Sequence, residues 1–307
     1  MAEKDMTEKA LLSFNDVFSD IVNNLVFKGE RQVAEDELEQ ATNRGVYLGE
    51  IAFREMERDV SKIWKKNNIR IAMFGFENET EAEDDMPFRV LGYDGLSYRD
   101  QIRYEADDQG KRRKVGERYP VITLVLYFGF RNRWNKARTL HEALGDKLRP
   151  EMKELVSDYR INIYEIAYLT DEELQGFHSD FKYLAEYFVQ KQRTGTYTGS
   201  MEELHHAREV LYLFSALTGD ERYFATTRWE DGTERRIHNM CEVLDIIEKR
   251  GYDTGYDSGF DQGEEAQARK DAIGMYQNGL TVDIIATIIE RDVDTVQQWI
   301  EEAGEDS

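Results

Sequence analysis

Apolar residues recur at helical spacing over residues 8–27, where Leu11, Leu12, Phe14, Val17, Phe18, Ile21, Val22, Leu25 and Val26 make one stripe. This predicts an opening amphipathic helix. Asp16 stands close to the stripe, where a carboxylate needs a partner or a metal unless it lies on the exposed flank. Residues 28–57 are polar and charged and predict a loop with weak strand or helix content. From Asp59 the pattern turns to strands. Residues 69–77 are rich in Ile, Met and Phe between Lys65-Lys66-Asn67-Asn68 and an acidic run over 79–85, which predicts a short buried strand followed by a solvated loop. Residues 93–105 suit a helix that presents Tyr93, Arg99 and Gln101, residues 119–128 a core strand, and residues 161–168 a further strand. Helical periodicity then holds over 171–193, 201–217 and 239–250, late helices of the kind that cover a sheet. His205-His206 is no metal signature, because adjacent helical positions point apart.

The tail changes character. Gly251, Gly255, Gly259 and Gly263 repeat every four residues beside Tyr252, Tyr256 and Phe260. Each interior glycine costs a helix about 1 kcal/mol against alanine, so the segment is either a flexible linker or a helix that recovers the loss by self-association and i, i+4 ring contacts. Residues 279–300 have a helix-turn-helix pattern, with Thr281 and Asp294 as caps and Ala286 at the crossing. Its second helix has no Lys or Arg and offers only Thr295, Gln297 and Gln298 to a groove, which favours a structural helix pair over a DNA reader. The expected organisation is a domain over 1–250, a glycine-repeat helix or linker over 251–269 and a small helical tail over 270–307.

Hydrophobic residues at 40% and aromatic residues at 12% describe a folded globular chain. The net charge of −22 is unfavourable for a nucleic-acid binder unless positive charge is gathered locally. Two basic islands exist. Residues 111–118 hold five basic and one acidic side chain, and residues 131–138 hold four basic and none acidic. They flank the strand at 119–128 and stand about 30 Å apart at about 3.3 Å per residue, too far to make one patch unless the loops fold over the sheet. The second island, with Arg131, Arg133 and Trp134 available for stacking, is the better DNA candidate; a solubilising loop is the alternative. One cysteine, Cys241, excludes an internal disulfide and fits a reducing compartment. No apolar signal region opens the chain, and the longest apolar run, at 121–130, is half the length a membrane helix needs. A soluble cytoplasmic protein is expected.

The candidate chemistry lies at Asp59, Glu77 and Glu79. Side chains two apart on a strand leave the same face, and a turn at Asn67-Asn68 brings the Asp59 segment alongside. Three carboxylates that close cannot all stay ionised unless something positive sits between them. A hard divalent cation such as Mg²⁺, held by one or two carboxylates with waters and phosphate oxygens completing its shell, suits that place, and makes a phosphodiesterase-type site. In a chain with 62 acidic residues among 307, a solvated strand end gives the same spacing.

The neighbourhood adds to this. Asp16-Val17-Phe18, Arg58-Asp59-Val60, Gly75-Phe76-Glu77-Asn78, Asp85-Met86-Pro87-Phe88-Arg89-Val90 and Tyr93-Asp94-Gly95-Leu96-Ser97-Tyr98-Arg99-Asp100-Gln101 together resemble the Rpn family. These are recombination-promoting nucleases, also described as transposases, of the PD-(D/E)xK nuclease superfamily. The resemblance covers residues 8 to 250 and the style of the tail. It implies an α/β fold with a PD-(D/E)xK nuclease-like core, a mixed sheet flanked by helices, and a helical C-terminal extension. It implies a Mg²⁺-dependent DNA endonuclease in which Asp59 and Glu77 hold the metal and Asp16 is the acidic residue of the first helix. Arg89 and Tyr93 match the Arg and Tyr that accompany the acidic motif, so Arg89 either clamps a phosphate or pairs with the acidic run. The family's motif is E-x-Q or E-x-K, and this chain has Glu79 in place of the Gln or Lys. A Glu there binds metal or acts as a base, but cannot offset developing negative charge as a Lys would. The alternative is a catalytically inert relative that serves as an oligomeric binding or regulatory module.

Overall fold

The computed structural model describes residues 9–41, 44–48, 53–57, 59–67, 69–106, 111–229 and 232–305. The chain forms two compact units, residues 1–244 and 245–307. The strands among the described residues are β1 (Leu38–Gln40), β2 (Arg44–Leu48), β3 (Phe53–Glu57), β4 (Val60–Lys66), β5 (Ile69–Glu79), β6 (Arg103–Ala106), β7 (Arg112–Val115), β8 (Val121–Tyr127) and β9 (Asn162–Glu165). Besides the helical residues 9–13, the helices among the described residues are α1 (Asn15–Leu25), α2 (Met86–Asp100), α3 (Leu140–Leu144), α4 (Asp171–Gln175), α5 (Phe181–Thr194), α6 (Ala207–Thr218), α7 (Glu221–Thr226), α8 (Met240–Gln277), α9 (Val282–Ile288) and α10 (Val293–Glu305).

The first unit is α/β. Its five-stranded sheet has the order β1-β4-β5-β8-β9, while β2 pairs with β3 and β6 with β7 as separate ribbons. β4 runs antiparallel to β1 and β5, and β8 runs parallel to β5 and β9. The register pairs Val60 with Phe76, Lys62 with Phe74 and Trp64 with Ala72, then shifts by one between Trp64 and Lys65, a β-bulge on the turn side of the hairpin. Partners opposite each other leave one face together. The Phe74 and Phe76 face receives α1, where Phe18 stacks on Phe76 at 4.3 Å between ring centroids. Phe181 and Phe188 of α5 pack on Phe128 just beyond β8. The opposite face carries Val125 and Tyr127, which are buried with Met86 and Val90 of α2, Trp134 and Ile161.

Several elements depart from the sequence expectation. Residues 28–57 are no plain loop: they supply β1, β2 and β3, the first anchored where buried Leu38 pairs with Trp64. The opening helix is broken at Phe14, whose ψ of 139° is extended. The break frees the Ser13 carbonyl to accept from Lys62 Nζ at 2.6 Å, and Asn15 Oδ1 accepts from the same ammonium. The expected helix at 93–105 starts earlier, at Met86, where Pro87 occupies the first turn, and ends at Asp100 before β6. The helix expected over 171–193 is split into α4 and α5, and the Asp20 carboxylate accepts the His178 and Ser179 N–H groups between them, both at 2.8 Å.

In the second unit, Ala272, Ile285, Ala286, Val296 and Trp299 form a small core. The glycine repeat lies within α8, with the Tyr252 and Tyr256 rings stacked at 6.3 Å. Asp292, rather than Asp294, caps α10: its carboxylate accepts the Thr295 N–H at 2.8 Å. Among the described residues no helix is long and apolar enough to cross a membrane.

Candidate functional site

The β4–β5 hairpin turns at Asn67, whose φ of +53° is a left-handed conformation that Asn tolerates better than most residues. The ladder ends at Val60 opposite Phe76. Asp59 follows at that end, and its Oδ2 accepts the Asn78 N–H at 2.9 Å, while Lys9 Nζ lies 3.8 Å from its Oδ1. On β5, Glu77 and Glu79 are register partners of Val125 and Tyr127 of β8. They therefore leave the face against which α2 packs. Glu77 is 1% exposed, and a buried carboxylate needs a paired charge.

Arg89 of α2 supplies it. Nη2 donates to Glu77 Oε2 at 3.0 Å, and Nη1 donates to Glu79 Oε1 at 2.8 Å and to Glu83 Oε2 at 3.1 Å. Arg89 also hydrogen-bonds the hydroxyl of Tyr93, one turn further along the helix. Burial pulls the guanidinium down, but that bond and the charges of Glu79 and Glu77 more than reverse it, so Arg89 holds its proton more firmly than a free arginine. Burial pushes the Glu79 carboxyl above the usual carboxylate range, Arg89 takes back part of the rise, and Glu83 and Asp59 add to it. Tyr93 is raised as well, by burial first and then by Glu77 and Asp59. Asp59, Glu77, Glu79, Arg89 and Tyr93 thus share one electrostatic neighbourhood.

Asp16 is engaged by other groups. Its Oδ2 lies 2.9 Å from His206 Nε2, Phe14 stacks on the same imidazole at 3.9 Å, and the Asp16 charge bears on Lys62. Asp16 also lines a cleft of about 800 Å³ with Asp20, Asn23, Glu35, Lys66 and His205.

The basic segment at 131–138 differs from expectation in one respect. Trp134 is 5% exposed, meets Tyr127 edge to face at 5.3 Å and donates Nε1–H to the Lys136 carbonyl at 2.9 Å. It is a core residue and not a stacking platform; polar neighbours on both sides hid its burial in the sequence. Arg133 lies over the Tyr168 ring at 4.4 Å and donates to Glu165 Oε2 at 3.2 Å, and Arg131 is exposed beside the Phe130 ring. Lys136 pairs with Asp84 at 2.8 Å. The acidic run is therefore more than a solvated surface, since Glu83 holds Arg89 and Asp84 holds Lys136. Sequence reading missed Glu83, Lys9 and Glu165; nothing in their spacing sets them apart from other surface charges.

β5, β8 and β9 run parallel, so the Glu79 end of β5, the segment after Tyr127 and Glu165 all lie at the carboxyl edge of these strands. That edge is where open α/β sheets bind ligands. The donor chemistry of Asp59, Glu77 and Glu79 fits a hard divalent cation, which takes carboxylate oxygens. As arranged, Glu77 and Glu79 close on the Arg89 guanidinium, and among the described residues no three His, Cys, Asp or Glu side chains are placed to hold one metal ion. No family model, curated protein or solved structure matches the chain.

Proposed function

We propose that the chain is a Mg²⁺-dependent DNA endonuclease with a PD-(D/E)xK-like core, of the recombination-promoting kind that its sequence resembles. The observation that carries this reading is the meeting of Asp59, Glu77 and Glu79 at the sheet edge with Arg89 and Tyr93 turned onto them from α2. Asp59 and Glu77 would hold the cation, which would supply a lowered pKa for a bound water and polarisation of the scissile phosphate. Arg89 offers a planar pair of donors to a phosphate oxygen, and Tyr93 orients that guanidinium. Glu79 brings a carboxylate where a Gln or Lys would bring a donor, so hydrolysis is slow. Arg131 and Arg133 meet the flanking DNA backbone, and Asp16 is the acidic residue of the first helix, held by His206.

A second reading has its own observation. The Arg89 guanidinium already occupies Glu77 and Glu79, which suits an inert relative retained as an oligomeric binding module. Supercoiled plasmid incubated with the purified chain and Mg²⁺, beside Asp59→Ala, decides between them. Nicking by the parent and none by the variant supports the nuclease; a folded parent that leaves the plasmid intact supports the module.

A further inference from the structure

One planar group serves three carboxylates here. Arg89 reaches Glu77 and Glu79 within 3.0 Å and Glu83 at 3.1 Å. Among the described residues Lys9 is the second cation beside this group, on Asp59 at 3.8 Å. Arg89 takes Glu77 Oε2 and Glu79 Oε1, and a divalent cation that draws Glu77 toward Asp59 competes with the guanidinium for the Glu77 carboxylate. We infer that Arg89 is an exchangeable counter-ion: it holds Glu77 and Glu79 until a divalent cation takes Glu77, and then turns its guanidinium to the phosphodiester anion. The inference rests on the metal-site reading above and adds to it a coupling between cation and substrate.

The surroundings allow the movement. The Arg89 side chain is 36% exposed, so its head is not sealed in, whereas Glu77 is buried behind it. Glu83 is the most exposed of the three partners. The guanidinium can thus pivot outward from the buried pair while it keeps an anionic contact. Tyr93 limits the arc, because its hydroxyl bonds the guanidinium from the next helical turn. A cation that frees Arg89 creates an anion site, and an anion that occupies Arg89 clears the carboxylates. Each ligand therefore tightens the other by the same factor.

The test measures Mn²⁺ binding to the full chain by calorimetry, with and without dimethyl phosphate, for the parent, Arg89→Gln and Arg89→Lys, each checked for folding by circular dichroism. The parent should bind Mn²⁺ about fivefold or more tightly when dimethyl phosphate is present. Arg89→Gln, with no guanidinium to displace, should bind Mn²⁺ about tenfold more tightly than the parent without the anion, and the anion should no longer change that affinity. If Arg89→Gln does not fold, Arg89→Lys carries the test: a single ammonium cannot fork onto both carboxylates, so its Mn²⁺ affinity should exceed the parent's. Variants with the parent's Mn²⁺ affinity and the parent's anion coupling overturn the exchange and leave the metal site standing. Failure of parent and variants alike to bind Mn²⁺ overturns both.

Discussion

Asp59 Oδ2 accepts the Asn78 N–H at 2.9 Å, which ties the first carboxylate of the site to the strand that carries the second. Asp59→Asn keeps an acceptor oxygen and should unfold in urea within about 0.5 kcal/mol of the parent, whereas Asp59→Ala should lose about 1 kcal/mol. Both should abolish Mg²⁺-dependent nicking, because charge and not shape is what the cation needs. An Asp59→Asn protein that nicks plasmid at the parental rate would remove Asp59 from the site.

Glu79 accepts from Arg89 at 2.8 Å in the position where the family pattern has Gln or Lys. Glu79→Gln and Glu79→Lys restore a side-chain donor, and one preorganised donor is worth roughly 10²–10³ in rate. Both variants should cleave DNA faster than the parent at saturating Mg²⁺, and adding Asp59→Ala should silence either. Loss of cleavage in both would identify Glu79 as a ligand or base instead.

Lys62 is 3% exposed on β4. Burial depresses its pKa from 10.5, and the Asp16 charge restores part of the loss. Between the depressed folded value and 10.5 the unfolded chain binds more protons than the folded one, so stability rises with pH across that window. Lys62→Met leaves the Ser13 carbonyl and Asn15 Oδ1 without this donor, a cost of about 1–3 kcal/mol. The stability gap between parent and variant should widen as pH rises from neutral toward 10.5. Melting curves that keep a constant gap over that range would show an unshifted ammonium.

Met240 and Val243 are buried at the end of the first unit, and the second unit has its own core around Ala272, Ile285 and Trp299. A chain ending at residue 250 should therefore fold cooperatively and self-associate less than the whole chain. Sedimentation velocity checks this. An unchanged sedimentation coefficient per protomer mass would show that the tail does not mediate assembly, and an unfolded fragment would show that the boundary is misplaced.

The hairpin was legible in the sequence because a period of two and an Asn-Asn turn are local signals, and with it came Glu77 and Glu79 on one face. Arg89 and Tyr93 were singled out together by the family resemblance alone, since periodicity started the helix at residue 93 and left Arg89 outside it, whereas the helix begins at Met86. The partners that decide the electrostatics were not legible. His206 meets Asp16 across 190 positions, and Lys62 lies in the core although a lysine ordinarily signals water. Whether Arg89 holds a phosphate or the acidic run was left open by residue type; in the fold it holds the run. β1 escaped notice because a strand of three residues is too short to show alternation.

The bulge between Trp64 and Lys65 separates the hairpin's tip from the ladder that ends beside Asp59. A slip of one residue would send every side chain to the wrong face, yet the bulge already takes up one unpaired residue, so an alteration at the tip can be absorbed there. For protein engineering, the turn at Asn67 is accordingly the place to graft a tag or a fluorophore: a label there can report on the strands while the Trp64-to-Val60 ladder keeps the carboxylates in register.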